Sequence, residues 1–205
     1  ALRCRIDSVT DGFSKHPGKE MADVNEEIDH LARLVDDLHE LALAEARELK
    51  LTISDTPLGP IVTSAARAAG LEDDSRLRVT LDHRLVVRGD AVRLRQVVLN
   101  ILTNAARYTP PEGIIKVRAF QAGNRNVVEV HNTGSSLTPE ELAHVFDRFY
   151  RADPSRQRAS GGTGLGLTIA KNLIEAQGGC VWARSDDSGV CFAFALPAQA
   201  PSETV

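Results

Sequence analysis

Gly161-Gly162-Thr163-Gly164-Leu165-Gly166-Leu167 is the stretch from which the fold can be read. The glycines at 162, 164 and 166 alternate, so the backbone can come close to a bulky anion there. The residues that follow, Leu167-Thr168-Ile169-Ala170-Lys171-Asn172-Leu173-Ile174-Glu175-Ala176, have the period of an amphipathic helix. A glycine-rich turn that opens a helix aims free N–H groups and the positive end of the helix dipole at whatever lies in front of it, most often a phosphate. The spacing alone is a weak signal and calls for a second motif.

The second motif lies upstream, in a helix expected to open at Asp90 as N-cap and to stop at Tyr108-Thr109-Pro110-Pro111. Val92, Leu94, Val97, Val98, Ile101, Leu102 and Ala105 give it a broad buried face. Asn100 and Asn104 are four residues apart and share a side of the helix, flanked by Val97 and Ile101. Two amides beside an apolar face are costly without partners. A hydrated magnesium ion carrying nucleotide phosphates would satisfy them, with Arg107 near a phosphate and Tyr108 near a base. Asparagines that cap loops from beneath would satisfy them equally well.

Working outward, residues 1–15 are weakly helical and His16-Pro17-Gly18 breaks that helix. Residues 19–51 form the strongest helical pattern. Val24, Ile28, Leu31, Val35, Leu38 and Ala42 make a heptad seam that Leu34 and Leu41 widen. Such a helical hairpin with one wide apolar face needs a partner, read here as a second copy of the chain, the alternative being its own second domain. Residues 52–60, with Pro57, Gly59 and Pro60, read as a linker. A helix over 61–69, strands at 77–81 and 85–87, a hairpin over 114–121 and 126–131, and a capped helix at Thr138-Pro139-Glu140-Glu141 follow. Residues 181–184 and 190–196 form a last hairpin, and 198–205 a loose tail.

Composition excludes some classes. With 42% hydrophobic and 25% charged residues, the 205-residue chain is ordinary for a globular protein. A net charge of -4 gives no support to a nucleic-acid partner. No apolar run is long enough to span a bilayer. Cys4, Cys180 and Cys191 lack metal-site spacing, and Cys180 is out of register with Cys191 for a disulfide, so free and mostly buried thiols are expected.

Four segments, in this order, together resemble the ATP-binding region of bacterial sensor histidine kinases. The run from Arg93 through Asn100, Asn104, Arg107 and Tyr108 to Pro110 looks like the asparagine-rich box of that family. His131-Asn132-Thr133-Gly134-Ser135-Ser136-Leu137 resembles its adenine-holding box, and Phe146-Asp147-Arg148-Phe149-Tyr150-Arg151 its phenylalanine box. Gly162-Thr163-Gly164-Leu165-Gly166-Leu167 is similar to its second glycine box. The resemblance implies an α+β fold, a two-layer α/β sandwich preceded by a helical hairpin. It implies a truncated dimerisation hairpin at 1–51, a linker at 52–60, an ATP-binding catalytic domain at 61–197 and a tail at 198–205.

It further implies Mg²⁺ on Asn104 with Asn100 in support, and Arg107 and Tyr108 along the pocket. Asn132, Gly134 and Ser136 would lie at the adenine. Backbone N–H groups of Gly162, Gly164, Leu165 and Gly166 would face the phosphates, with Thr163 and Leu167 beside them. Residues 150–161 would form a lid carrying Tyr150 and Arg151; Arg156 and Arg158 fit either a phosphate contact or a solvated loop.

Asn132 replaces the usual aspartate, Ser136 the second glycine of its box, and Val190 a frequent serine or threonine; weaker nucleotide affinity is expected. Sensor kinases of the heavy-metal-responsive kind resemble this variant. Related chaperone-type ATPases carry a glutamate where Asn100 stands. An amide cannot act as general base, so transfer of the γ-phosphate is expected instead of rapid hydrolysis. The expected nucleophile, a histidine followed by an acidic residue and then Thr-Pro or Ser-Pro, has no match here. His16, His30, His39, His83, His131 and His144 all sit in other contexts. The resemblance therefore implies a fragment cut after the phosphoacceptor, with sensor and membrane spans upstream. It also implies a cytoplasmic location below an inner membrane and a response-regulator receiver domain as partner. A nucleotide-binding pseudokinase is the alternative.

Overall fold

The structure, a computed structural model, describes residues 17–46, 48–82, 84–151 and 163–198. It divides into two units, Ala1–Glu40 and Leu41–Val205. The described part of the first unit is helix α1, Pro17–Glu45, as far as Glu40. Pro17 falls inside the helix, not in a break before it, because a first-turn residue has no intrahelical use for an N–H. The helix ends short of residue 51. The Glu48 N–H reaches back to the Leu43 carbonyl at 2.9 Å, the five-residue return that closes helices. On α1, Ile28, Leu31, Val35 and Leu38 are 49%, 46%, 65% and 45% exposed. The expected helix over 1–15 lies outside the described residues.

The second unit departs from expectation at its start. Residues 52–60 are not simply a linker: Ser54–Pro57 is a strand, β1, paired antiparallel with β3, Val86–Gly89. Thr56 Oγ1 donates to the Gly89 carbonyl at 2.9 Å and locks the pair. Helix α2, Leu58–Ala68, starts directly on Pro57. Pro60 lies in its first turn, where no N–H is needed.

The main sheet has the order β2-β4-β5-β7-β6. It comprises β2 (Leu77–Leu81), β4 (Ile115–Ala122), β5 (Arg125–Asn132), β6 (Cys180–Asp186) and β7 (Gly189–Pro197). The β2–β4 pair is parallel and the others are antiparallel. Helices α3 (Ala91–Tyr108), α4 (Pro139–His144) and α5 (Gly166–Glu175) complete the unit. Helix α3 packs between α2 and α5, and α3 touches β5 while α5 touches β6 and β7. Strand alternation puts Ile115, Val117, Ala119, Val128, Val130, Phe192, Phe194 and Leu196 on one face, all buried. From α3, Leu94, Val97, Val98, Ile101 and Leu102 are buried as expected, each contributing about 1.5–3 kcal/mol by leaving water. The opposite face carries Lys116, Arg118, Glu129 and Arg184, with Glu129 accepting from Arg184 at 2.9 Å. The result is the two-layer α/β sandwich that the sequence resemblance implied.

Cys180 and Cys191 are both free; Cys191 is buried, but Cys180 is exposed, contrary to expectation. Cys180 pairs with Ala195 and Cys191 with Arg184, so the two thiols are four positions out of register.

Candidate functional site

Helix α3 is fixed at its start by Asp90, whose carboxylate accepts from the backbone N–H groups of Val92 (2.9 Å) and Arg93 (3.1 Å), and from Thr52 (2.8 Å). At its far end Asn104 and Tyr108 line a cavity of about 330 Å³, a size suited to a small-molecule ligand.

Two loops line this cavity, and a third leads into α5, whose Leu167 reaches the wall. The loop after β5 is held by a reciprocal pair, Thr133 N–H to the Ile114 carbonyl (3.1 Å) and Ile114 N–H to Thr133 Oγ1 (2.9 Å). The Leu137 N–H donates to Ser185 Oγ at 2.9 Å. Within it Gly134, at φ 89°, passes so close to the Pro110 ring that a Cβ would collide. The second loop follows α4, which carries the expected capping box between Thr138 and Glu141. Phe146 meets Phe192 edge-on at 6.2 Å, and its carbonyl accepts from Thr168 Oγ1 at 2.9 Å.

The third loop is the glycine turn. Gly164 has φ 74°, and a Cβ there would lie 2.9 Å from Phe149 Cα. Phe149, itself at φ 60°, donates its N–H to the Gly164 carbonyl at 3.1 Å. The Leu165 N–H donates to Thr163 Oγ1 (3.1 Å), and Asn100 Nδ2 to the Gly166 carbonyl (3.1 Å). Asn100 therefore ties the turn to α3. Helix α5 then opens without a side-chain cap, the arrangement that favours an anion.

Of the residues expected at the nucleotide, Asn104, Tyr108, Asn132, Gly134, Ser136, Tyr150, Arg151 and Leu167 line the cavity. Asn100, Arg107, Thr163, Gly164, Leu165 and Gly166 do not. Asn104 and Tyr108 are one turn apart on a common face, whereas Arg107 is rotated off it and exposed. Gly162, Arg156 and Arg158 lie outside the described residues. Ser135 and Leu137, from the segment that resembles the adenine-holding box, also line it, as do Glu141, Val145 and Phe192, which were not anticipated. Phe192 could have been found from the alternation of β7, which puts it on the same face as Val190, the register partner of Asn132.

The wall chemistry fits a magnesium nucleotide. Asn132 is 1% exposed, and its Oδ1 is buried without a partner among the described residues, an acceptor that a ligand amine would satisfy. The Asn104 amide oxygen is the hard donor that magnesium takes. Among the described residues no cluster of His, Cys, Asp and Glu could hold a metal, so phosphate oxygens would complete its shell. Tyr150 is held above the ordinary phenol value by burial, then by the Glu141 and Asp147 carboxylates, and stays protonated. Glu141 lines the wall, but its Oε2 is engaged with the Thr138 N–H at 2.8 Å.

A family model described as "Histidine kinase-, DNA gyrase B-, and HSP90-like ATPase" matches residues 89–200. The chain belongs to that family. Among members of this histidine kinase-, DNA gyrase B- and HSP90-like ATPase family, the signal transduction histidine-protein kinase BaeS of Escherichia coli (strain K12) is 33% identical over 200 residues, which is 96% of this chain and 43% of BaeS. The sensor histidine kinase CusS of the same strain is 38% identical over 192 residues, 88% of this chain and 39% of CusS. The chain thus spans less than half the length of these curated relatives. The Acinetobacter baumannii histidine kinase AdeS shares the fold with a TM-score of 0.80 at 22% identity, over 97% of this chain and 94% of that one. Both relatives are named as kinases, so the sensor-kinase branch of the ATPase family is the one the motifs pointed to.

Proposed function

We propose that this chain is the ATP-binding, phosphoryl-transferring part of a sensor histidine kinase in a two-component system. The cavity supports the reading above all: the asparagine helix, the Asn132 loop and the first turn of α5, through Leu167, meet around it. Asn132 would take the adenine edge and Asn104 the magnesium ion. The open end of α5 would meet the phosphates, with Tyr150 and Arg151 at the cavity edge. Bound magnesium would neutralise triphosphate charge during transfer. Asn100 holds the Gly166 carbonyl, and its amide offers no base for water. Glu141 is engaged in its capping box. The pocket is therefore arranged to position a phosphoryl group for an outside nucleophile.

In this reading residues 1–51 contribute to a dimerisation hairpin and 61–197 form the catalytic domain, with β1 joining it. The partners are a second copy and a response-regulator receiver domain, and the setting is the cytoplasmic side of an inner membrane. No described helix is long and apolar enough to cross a membrane. The pseudokinase alternative is not favoured, since the relatives carry kinase names.

Incubating the chain with γ-labelled ATP, magnesium and a separately supplied phosphoacceptor helix tests the proposal. Acid-labile label on the helix, with none on the chain alone and slow phosphate release, is expected. Rapid release of inorganic phosphate without labelling would instead identify a chaperone-type ATPase.

A further inference from the structure

Two buried side-chain oxygens lack partners among the described residues, Asn126 Oδ1 and Asn132 Oδ1. They differ in what holds the other half of the amide. Asn126 Nδ2 donates to the Val86 carbonyl at 2.8 Å, which can only accept, so that amide has one orientation. Asn132 Nδ2 donates to Ser135 Oγ at 3.2 Å, and a hydroxyl can accept or donate. Turning the Asn132 amide by 180° lets Oδ1 accept from the Ser135 hydroxyl and puts Nδ2 where Oδ1 stood, in a residue that lines the cavity. The bond to Ser135 survives in both states; only the edge offered to a ligand changes.

We propose that the base subsite takes 6-oxopurine as well as 6-aminopurine nucleotides, because Asn132 can present either an acceptor or a donor to C6. The inference rests on the reading of this cavity as a nucleotide site. With Oδ1 inward the amide accepts from a 6-amino group. With Nδ2 inward it donates to a 6-carbonyl. A carboxylate at this position could only accept, so it would face a 6-carbonyl with like polarity and no bond. Val190, paired with Asn132 in the sheet and 2% exposed, adds no polar atom that would favour one edge.

Equilibrium binding of three magnesium nucleotides to the 205-residue chain tests this: ATP, inosine triphosphate and the triphosphate of unsubstituted purine riboside. ATP and inosine triphosphate should bind within about fivefold of each other, and each about threefold or more tighter than the unsubstituted purine, which lacks the C6 hydrogen bond. Asn132→Asp should widen the preference for ATP over inosine triphosphate about tenfold or more. The inference fails if the unaltered chain rejects inosine triphosphate as strongly as Asn132→Asp does, or binds it no tighter than the unsubstituted purine. The second criterion uses only the unaltered chain and holds even if the variant does not fold. Binding of none of the three overturns the nucleotide-site reading and this inference with it.

Discussion

Gly164 and Phe149 share one backbone contact, and it leaves no room for a side chain. Gly164 is at φ 74°, with the Phe149 backbone 2.9 Å from where a Cβ would stand. Gly164→Ala therefore adds both a left-handed backbone penalty and a collision. The expected loss is about 1–3 kcal/mol, read as a lower denaturation midpoint together with weaker nucleotide binding. Gly123, also at positive φ but with nothing within 4 Å of a built Cβ, is the matched control. Gly123→Ala should cost less stability and leave binding intact. Equal effects at the two positions would mean that the Phe149 contact does nothing for the pocket.

At the scale of elements, Asp90 links α3 to the segment before β1 and to the end of α5. Its carboxylate takes the Thr52 N–H, and its own N–H donates to Gln177 Oε1 at 2.7 Å. Burial pushes the Asp90 carboxyl up, but the N–H donors of Thr52, Arg93 and Val92 outweigh that and hold it below its ordinary value. Asp74, bonded to the Arg76 side chain and backbone, is lowered to about 2. Both groups titrate lower when folded than unfolded. Their stabilisation is thus full above the ordinary carboxylate range, near pH 4, and is lost as pH falls toward 2. Asp90→Ala should cost about 2 kcal/mol at neutral pH, and its stability should decline less steeply between about pH 5 and 3 than that of the unaltered chain. An unchanged acid slope would remove Asp90 from the explanation.

The same elements show what the sequence could reveal. The Asp90 cap, the Thr138 and Glu141 box and the Gly123-Asn124 turn follow from local rules, and each stands where residue chemistry put it. Strand β1 did not, because Ser54-Asp55-Thr56-Pro57 has no apolar alternation, ends in proline and is held by a partner about 30 residues away. Within the cavity, Asn104 and Asn132 were legible from motifs. Glu141 and Phe192 were not, since only the sheet register and the seating of α4 bring them there. Asn100 was expected beside a metal; its bond to the Gly166 carbonyl depends on a contact 66 residues along the chain.

At the scale of the whole molecule, α1 presents Ile28, Leu31, Val35 and Leu38 to solvent in the first unit. A row of four half-exposed aliphatic side chains at heptad spacing suits a second copy. Sedimentation should show a dimer, and the double change Leu31→Glu with Val35→Glu should give a monomer whose nucleotide unit melts unchanged. A chain that is monomeric before any substitution contradicts the proposed interface. The second unit raises a different matter, the order in which its sheet is completed. Strand β7 lies between β5 and β6 and is buried along nearly its whole length, yet it follows both in the chain. During synthesis β4 and β5 can pair as they emerge, while β6 must wait beside an empty position. The Asn132 wall, whose register partner is Val190, is completed only when that last strand enters. Capture of nucleotide by a nascent or refolding chain should then lag behind formation of most of its secondary structure.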